Sequence, residues 1–521
     1  MPVAAGVSHV HTSRSDGTGT ADEVAAAAGR AGLTFIIFTD HGDGTRAPDP
    51  PQYRHGVLCL DGVEISTADG HYLAVGMPVT PYPLGGEARD VIEDVGRLGG
   101  FGIVAHPDSL KGTLRWQPWT DGVEAIEWLN GDTEWRDETF GQLARALATY
   151  PFRAAETLAA LLDRPESTLR RWDELTRRRP VVALAGSDAH ARVGLSDEAD
   201  DPYRSRILLR LPSYQTLFST FSIRVELARP LSGDASLDAT ALVSALRSGR
   251  AYSVVDAFAA PAYFDFVVRS PSRQARQGES IDPDGPIVVE AESNGPPGSS
   301  IALFRDGQLI ADRRGPTLRE ELPAGRAVLR AEVRLDGVTT PWIVGNPVYV
   351  APLPREPAAR PAVTARTRLD EPDAERRWHV EQQSGAAGAL ERAATGPAIF
   401  RYQLVPDVTT QSVALVLPEG TRLREFDRVS FRGTASAPMR VSVQLRKPSG
   451  ADGQRWRRSV YLDTIPRDIT VFFADMTPAG PTDAARPDLK EIQDLLFVVD
   501  TTNTRPGTAG TVTIEALHLE R

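Results

Sequence analysis

"HVHTSRSDGTGTADEVAAAAGRAGLTFIIFTDHGDG" (residues 9–44) opens on two histidines one residue apart and closes on an acid–histidine pair that follows a run of apolar residues. Between them, Thr20 and Glu23 have capping-box spacing, an alanine-rich run follows, and Gly32 stands where a helix would stop. The stretch therefore reads as strand, helix, strand, with histidine at the end of each strand. Working outward, "VLCLDGVEIS" (57–66), "HYLAVGM" (71–77), "FGIVAHP" (101–107), "GVEAIEWLN" (122–130) and "VVALAGSDAH" (181–190) read as further strands, and "EARDVIEDVGRLGG" (87–100) as a helix. Such alternation predicts an α/β domain built on a parallel barrel or sheet. Residues 133–179 read as a helical insertion broken near Pro151 and Pro165. "LDATALVSALRSGRAYSVV" (237–255) reads as a helix and strand completing this first domain, residues 1–260.

The pattern then changes period. Leu329, Ala331, Val333 and Leu335 interleave with Arg330, Glu332 and Arg334, and "RDGQ" and "LDGV" are hairpin turns. Residues 261–352 are expected to form a small immunoglobulin-like β-sandwich. A linker rich in proline, alanine and arginine (353–375) precedes short strands over 376–521, which predict a second, jelly-roll-like sandwich suited to a binding role.

Composition bounds the function. A chain of 521 residues exceeds one core, and its 41% hydrophobic and 24% charged content is that of a globular protein. The net charge of −11 disfavours bulk binding of nucleic acid. No apolar run reaches the ~18 residues needed to span a membrane, and no signal-peptide pattern opens the chain. As given it reads as soluble; extracytoplasmic placement requires an export segment upstream. The single cysteine, Cys59, is expected to pack as a small hydrophobe.

Six of the nine histidines (His9, His11, His41, His71, His106 and His190) fall in the strand-terminal motifs, where α/β folds build their sites. Asp16, Asp40, Glu64, Glu127 and Asp188 stand in the same motifs. Imidazole with carboxylate suits zinc, manganese or iron, and the lack of thiolate argues against a structural zinc site. In a strand, residues i and i+2 share a face, so His9 and His11 reach one ion or two adjacent ions, as do Asp188 and His190. A mononuclear centre needs about three protein ligands; this excess predicts two or three divalent ions bridged by a carboxylate such as Glu64. His55, His379 and His518 lack ligand patterns and read as structural or surface residues.

These ordered motifs resemble the PHP (polymerase and histidinol phosphatase) superfamily of metal-dependent hydrolases, over roughly residues 1–260. Within the superfamily the chain looks most like the branch of multidomain bacterial proteins that includes a carbaryl hydrolase. The resemblance implies a distorted seven-stranded β/α barrel. It also implies the ligand set His9, His11, Asp16, His41, Glu64, His71, His106, Asp188 and His190. The activity implied is hydrolysis of a small substrate, foremost a phosphoester, by a metal-bridging hydroxide. Carbamate, ester or amide hydrolysis is the alternative on the same centre. The contrasting reading is a non-catalytic barrel carrying β-modules that bind glycan or cell envelope. Glu64 and Asp188 are expected to serve catalysis, with Asp188 or Asp43 delivering the leaving-group proton. Asp40, Glu127 and Asn130 are expected to orient the ligands. Arg14, Lys111 and Arg115 are candidates to clamp a phosphate. Trp116, Trp119, Trp128 and Trp135 read as packing at the barrel rim.

Overall fold

The computed structural model describes the chain except for residues 120–121, 137–138, 195–206, 353–360, 370–377, 384, 393–396 and 449–452. It divides into two compact units, residues 1–79 with 87–355, and residues 80–86 with 356–521.

In the first unit the expected strands form as β1 (Val3–Val10), β2 (Phe35–Phe38), β4 (Val57–Thr67), β5 (Gly70–Val75), β6 (Phe101–Val104), β7 (Ala125–Asn130) and β8 (Val182–Ala189), with a short β3 (Gln52–Arg54) beside β4. Pairing runs β1–β2–β4–β5–β6–β7–β8 and closes from β8 back to β1, a seven-stranded barrel. The parallel pattern fails at one strand: β5 is antiparallel to both β4 and β6. The β4–β5 hairpin, Thr67 pairing with Gly70, is too short for a crossover, so β5 must return. His71 therefore begins its strand at the barrel end where the other motifs finish theirs.

Period-2 alternation sorts the strands into two layers. Phe35 and Ile37 pack with Leu58, Leu60, Leu73 and Ile103, whereas Ile36, Phe38 and Cys59 pack outward on helices α1 (Ala21–Arg30) and α7 (Tyr214–Thr220). Cys59 is a free thiol buried in that outer layer, and burial raises its pKa to about 11. Helix α1 carries the expected capping box: Thr20 Oγ1 accepts from the Glu23 N–H and Glu23 Oε2 from the Thr20 N–H. The remaining helices are α2 (Ala88–Arg97), α3 (Gly131–Arg136), α4 (Phe140–Thr149), α5 (Ala154–Ala159), α6 (Glu166–Thr176) and α8 (Ala235–Arg247).

The segment expected to complete the barrel does something else. After a ribbon of β9 (Val193–Gly194) and β10 (Ile207–Leu209), strands β11 (Ser222–Glu226) and β12 (Ala251–Val254) extend the sheet from the first half of β1, and β12 pairs with Ile343–Gly345. The sheet thus runs unbroken from barrel to middle sandwich. The facing sheet there is Gln274–Arg276, Phe264–Arg269, Ile287–Ser293 and Thr317–Leu322.

The second unit is a sandwich of two antiparallel sheets over a core including Phe400, Leu415, Val441, Phe497 and Ile514. Much of the expected linker (353–375) lies outside the described residues. Within it, however, Arg366–Arg368 pairs with Ala509–Glu520 and Leu369 is buried in the core, so this sandwich begins before residue 376.

Candidate metal centre

Three residues of the strand-end motifs hold a left-handed backbone: His9 (φ 60°), His106 (φ 30°) and Asp188 (φ 47°). Non-glycine residues rarely adopt it, at a cost of about 1–3 kcal/mol each, and it persists where the surroundings impose it. At His9 the β1–β8 register shifts between Ser8 and Val10, and β1 ends at Val10. His9 and His11 therefore converge through a bulge rather than through plain strand alternation.

All nine candidate ligands meet at this end of the barrel. Donor atoms within 4.8 Å of one another form four overlapping sets: His11, Asp16, His41 and His190; His9, His11 and Glu64; His9, His106 and Asp188; His41, Glu64 and His71. Glu64 lies between them. Its Oε2 is 3.3 Å from His9 Nε2, 3.1 Å from His11 Nε2 and 3.2 Å from His41 Nδ1, while Oε1 is 2.6 Å from His71 Nδ1 and 3.0 Å from His106 Nε2. Asp188 Oδ1 is 3.3 Å from His9 Nε2 and 3.4 Å from His11 Nε2; Asp16 Oδ2 is 3.2 Å from His190 Nε2. Two donors each about 2.1 Å from a shared ion, at 90–109°, lie about 3.0–3.4 Å apart.

Tautomers follow from the partners. His9 Nδ1 meets Glu127 Oε1 at 2.7 Å, His106 Nδ1 meets the Leu114 carbonyl at 3.2 Å, and His190 Nδ1 meets the Asp188 carbonyl at 2.9 Å. A carboxylate or carbonyl only accepts, so each Nδ1 donates and each Nε2 is the ring nitrogen turned to the cluster. Among the described residues, the buried His9 Nε2 and His11 Nε2 find no hydrogen-bond partner. Buried ring nitrogens converging on carboxylates, able to give up a proton for a divalent cation, fit a metal centre.

The electrostatics agree. Burial alone would raise Glu64, but His41, His9 and His71 with a bond from His106 hold its carboxyl well below the usual range. Burial likewise opposes a charge on His11, yet Asp188 and Glu64 raise it to about 10. For His41 burial wins and lowers it to about 3.

Around the ligands, Glu127 Oε2 accepts from the His106 N–H and from Asn130 Nδ2, both at 2.8 Å. Asp40 shapes the loop after His11, accepting from the Thr12 and Ser15 N–H groups and from both their hydroxyls. Asp43 does not join the cluster; its carboxylate accepts from the Thr45 N–H and hydroxyl. Arg14 is held in ion pairs with Asp49 and Asp61, and Arg115 Nε donates to the Ser109 carbonyl, so none of these bonds is made to the cluster. Lys111 lies in the same loop, its N–H donating to Ser109 Oγ. Trp116 and Trp128 are buried, donating to the Pro118 carbonyl and to Ser253 Oγ; Arg171 lies over the Trp119 ring, and the Trp135 side chain is outside those described. His55 pairs with Asp22, His379 with Glu381, and His518 with the Ala516 carbonyl.

Two site residues escaped the sequence reading. Arg192 Nη2 donates to Asp16 Oδ2 at 2.6 Å; it stands two residues past His190, a position the "GSDAH" motif could have flagged. Tyr214, on α7, donates to the His11 carbonyl at 2.8 Å and accepts from the Thr18 N–H at 3.0 Å, with no sequence signal of its role.

No family model and no curated protein matches this sequence. Among solved structures it is similar to a two-domain protein from Bacteroides vulgatus described as containing a PHP-like metal-dependent phosphoesterase, at 14% identity and TM-score 0.31, covering 67% of this chain and 94% of that one. It is also similar to the family 11 carbohydrate-binding module of a Clostridium thermocellum cellulosomal cellulase, at 16% identity and TM-score 0.25, covering 30% of this chain and 95% of the module. A mannan-recognising carbohydrate-binding module is similar at 12% identity and TM-score 0.22, over 31% of this chain and 99% of that one.

Proposed function

We propose that this chain is a metal-dependent hydrolase of the PHP type, acting on phosphoesters. The observation that carries the reading is the convergence of six imidazoles and three carboxylates at one barrel end, with Glu64 offering one oxygen to each side. The ions would be held within the four overlapping sets: His9, His11 and Glu64; His9, His106 and Asp188; His41, Glu64 and His71; and His11, Asp16, His41 and His190. Bound divalent cations supply Lewis acidity toward a phosphoryl oxygen and lower the pKa of water to about 7.

The chain's own residues set the geometry for that chemistry. Glu127 keeps the His9 proton on Nδ1, the Leu114 and Asp188 carbonyls do the same for His106 and His190, and Asp40 fixes the loop that presents Asp16. Arg192, lying on Asp16, brings a guanidinium to the edge of the cluster, where it suits a phosphoryl oxygen. A panel of phosphomonoesters, phosphodiesters and aryl carbamates, each with Mn, Zn and Fe, tests the reading. Phosphoester turnover abolished by a chelator and by Asp188→Ala is expected. Turnover of carbamates alone would move the assignment to the alternative substrate class, and a metal-loaded chain inert on all three would overturn it.

A further inference from the structure

The opposite end of the barrel holds a cavity of about 480 Å³, around the residues that lead into β7 and β8. Arg97, Arg177, Arg178, Arg179, Arg247 and Arg326 line it, against only Glu93 and Glu124. The chain as a whole has a net charge of −11, so six guanidiniums around one cavity are a local reversal of sign.

Part of this clustering has a structural cause. Helices α2, α6 and α8 all end here, each presenting about half a negative charge at its C-terminus, which favours nearby cations. Three arginines also tie the floor together: Arg247 donates to the Gly99 carbonyl, Arg326 to the Arg177 carbonyl and Arg179 to the Val123 carbonyl. Asp94 also pairs with Arg97, at 3.0 Å; three half-charges and three carboxylates still leave the six guanidiniums in excess. The excess falls at Arg177 and Arg178, which are exposed and whose side chains have no ion pair or hydrogen bond among the described residues. The walls between are apolar, with Ile92, Val181 and Val350 beside the Tyr349 ring.

We propose that this cavity is a second ligand site, remote from the metal centre, that takes a small phosphorylated molecule with an apolar or aromatic body. The guanidiniums meet the phosphate with bidentate geometry and the apolar walls take the body, a combination typical of pockets of this volume. Neither Arg177 nor Arg178 touches the metal cluster, so substituting them leaves the active centre intact.

The experiment is calorimetric titration of the metal-loaded full-length chain with phenylphosphonate, whose P–C bond a phosphoesterase does not hydrolyse, and with inorganic phosphate, beside Arg177→Ala/Arg178→Ala. Phosphate groups also bind metals, so the wild type is expected to show two classes of site. The double variant should keep the metal-centre class and its hydrolytic turnover while losing at least tenfold in affinity at the other, with phenylphosphonate held more tightly than inorganic phosphate there. A single class in the wild type, or two unchanged classes in the variant, would overturn the proposal. Equal affinity for both probes at the second site would remove the assigned ligand class. Because turnover is read separately, failure of this site is distinguishable from failure of the hydrolase reading.

Discussion

At the residue scale, Glu127 shows how the centre is assembled. Its two oxygens hold His9 Nδ1 and the His106 N–H, and it reaches them only because position 186 is glycine: a Cβ there would run into the Glu127 carboxylate. Glu127→Ala and Gly186→Ala should each weaken metal binding by about 10–100-fold, the usual effect of losing a group that orients a ligand. Competition with a chromophoric chelator measures this; unchanged affinity in both would show that His9 is oriented some other way. The protonation of the cluster gives a second expectation. His11, raised to about 10, carries a proton at neutral pH in the metal-free chain, whereas His41, lowered to about 3, does not. A metal must displace the His11 proton, so apparent affinity should rise with pH up to about 10. Over the same rise the metal-free chain loses the stability that protonated His11 contributes, which is fully present only below its ordinary value of 6.5. Titrating metal into weakly buffered protein near pH 7 should release protons; a titration that releases none contradicts this account. The identities of the nine converging side chains were legible because each sits in a short motif at a strand end. The bulge at His9 and the contacts of Arg192 and Tyr214 were not, since they depend on which strands close the barrel.

At the scale of elements, the strand Ala327–Arg334 shows where pattern misleads. Alternation marks Arg330 and Glu332 as its polar face, yet the structure buries that face, Arg330 at 3% and Glu332 at 0% exposure. Helix α6 and the turn before it supply the partners: Asp173 pairs with Arg330 and Arg164 with Glu332, while Arg330 and Glu332 pair with each other. Sequence periodicity reports polarity, and a fully paired buried network looks the same as a solvated face. Removing one member strands the others, so Glu332→Ala should cost about 3–5 kcal/mol, read as a lower melting temperature of the full-length chain. Burial would raise Glu332, but Arg330 and Arg164 lower it to about 2 from an ordinary 4.5. Its contribution is therefore present above pH 4.5 and lost as pH falls toward 2. A variant melting like the parent at pH 7 would show that the network is neutral to stability.

At the scale of the whole molecule, the switch from helical to period-2 patterning near residue 260 located the β-rich half, whereas the continuity of sheet from β12 into the middle sandwich left no local trace. Nor did the grouping of Thr80–Gly86 with the C-terminal unit, whose Asn503 amide donates to the Pro83 carbonyl and where Tyr82 and Leu84 are buried. We propose that chemistry belongs to the first unit alone. A chain ending at residue 352 should bind metal and turn over substrate at close to the full-length rate per bound metal, with lower solubility because Tyr82 and Leu84 lose their cover. A loss above about tenfold in kcat/KM, equivalent to about 1.4 kcal/mol of transition-state stabilisation, would place part of the active site in the last unit. The most direct test of the central claim is elemental analysis of the full-length chain purified from medium supplemented with Mn, Fe and Zn, beside Asp188→Ala. Two to three equivalents in the parent and a clear fall in the variant are predicted; fewer than one equivalent in the parent, or equal content in both, would contradict a metal centre built on these nine residues.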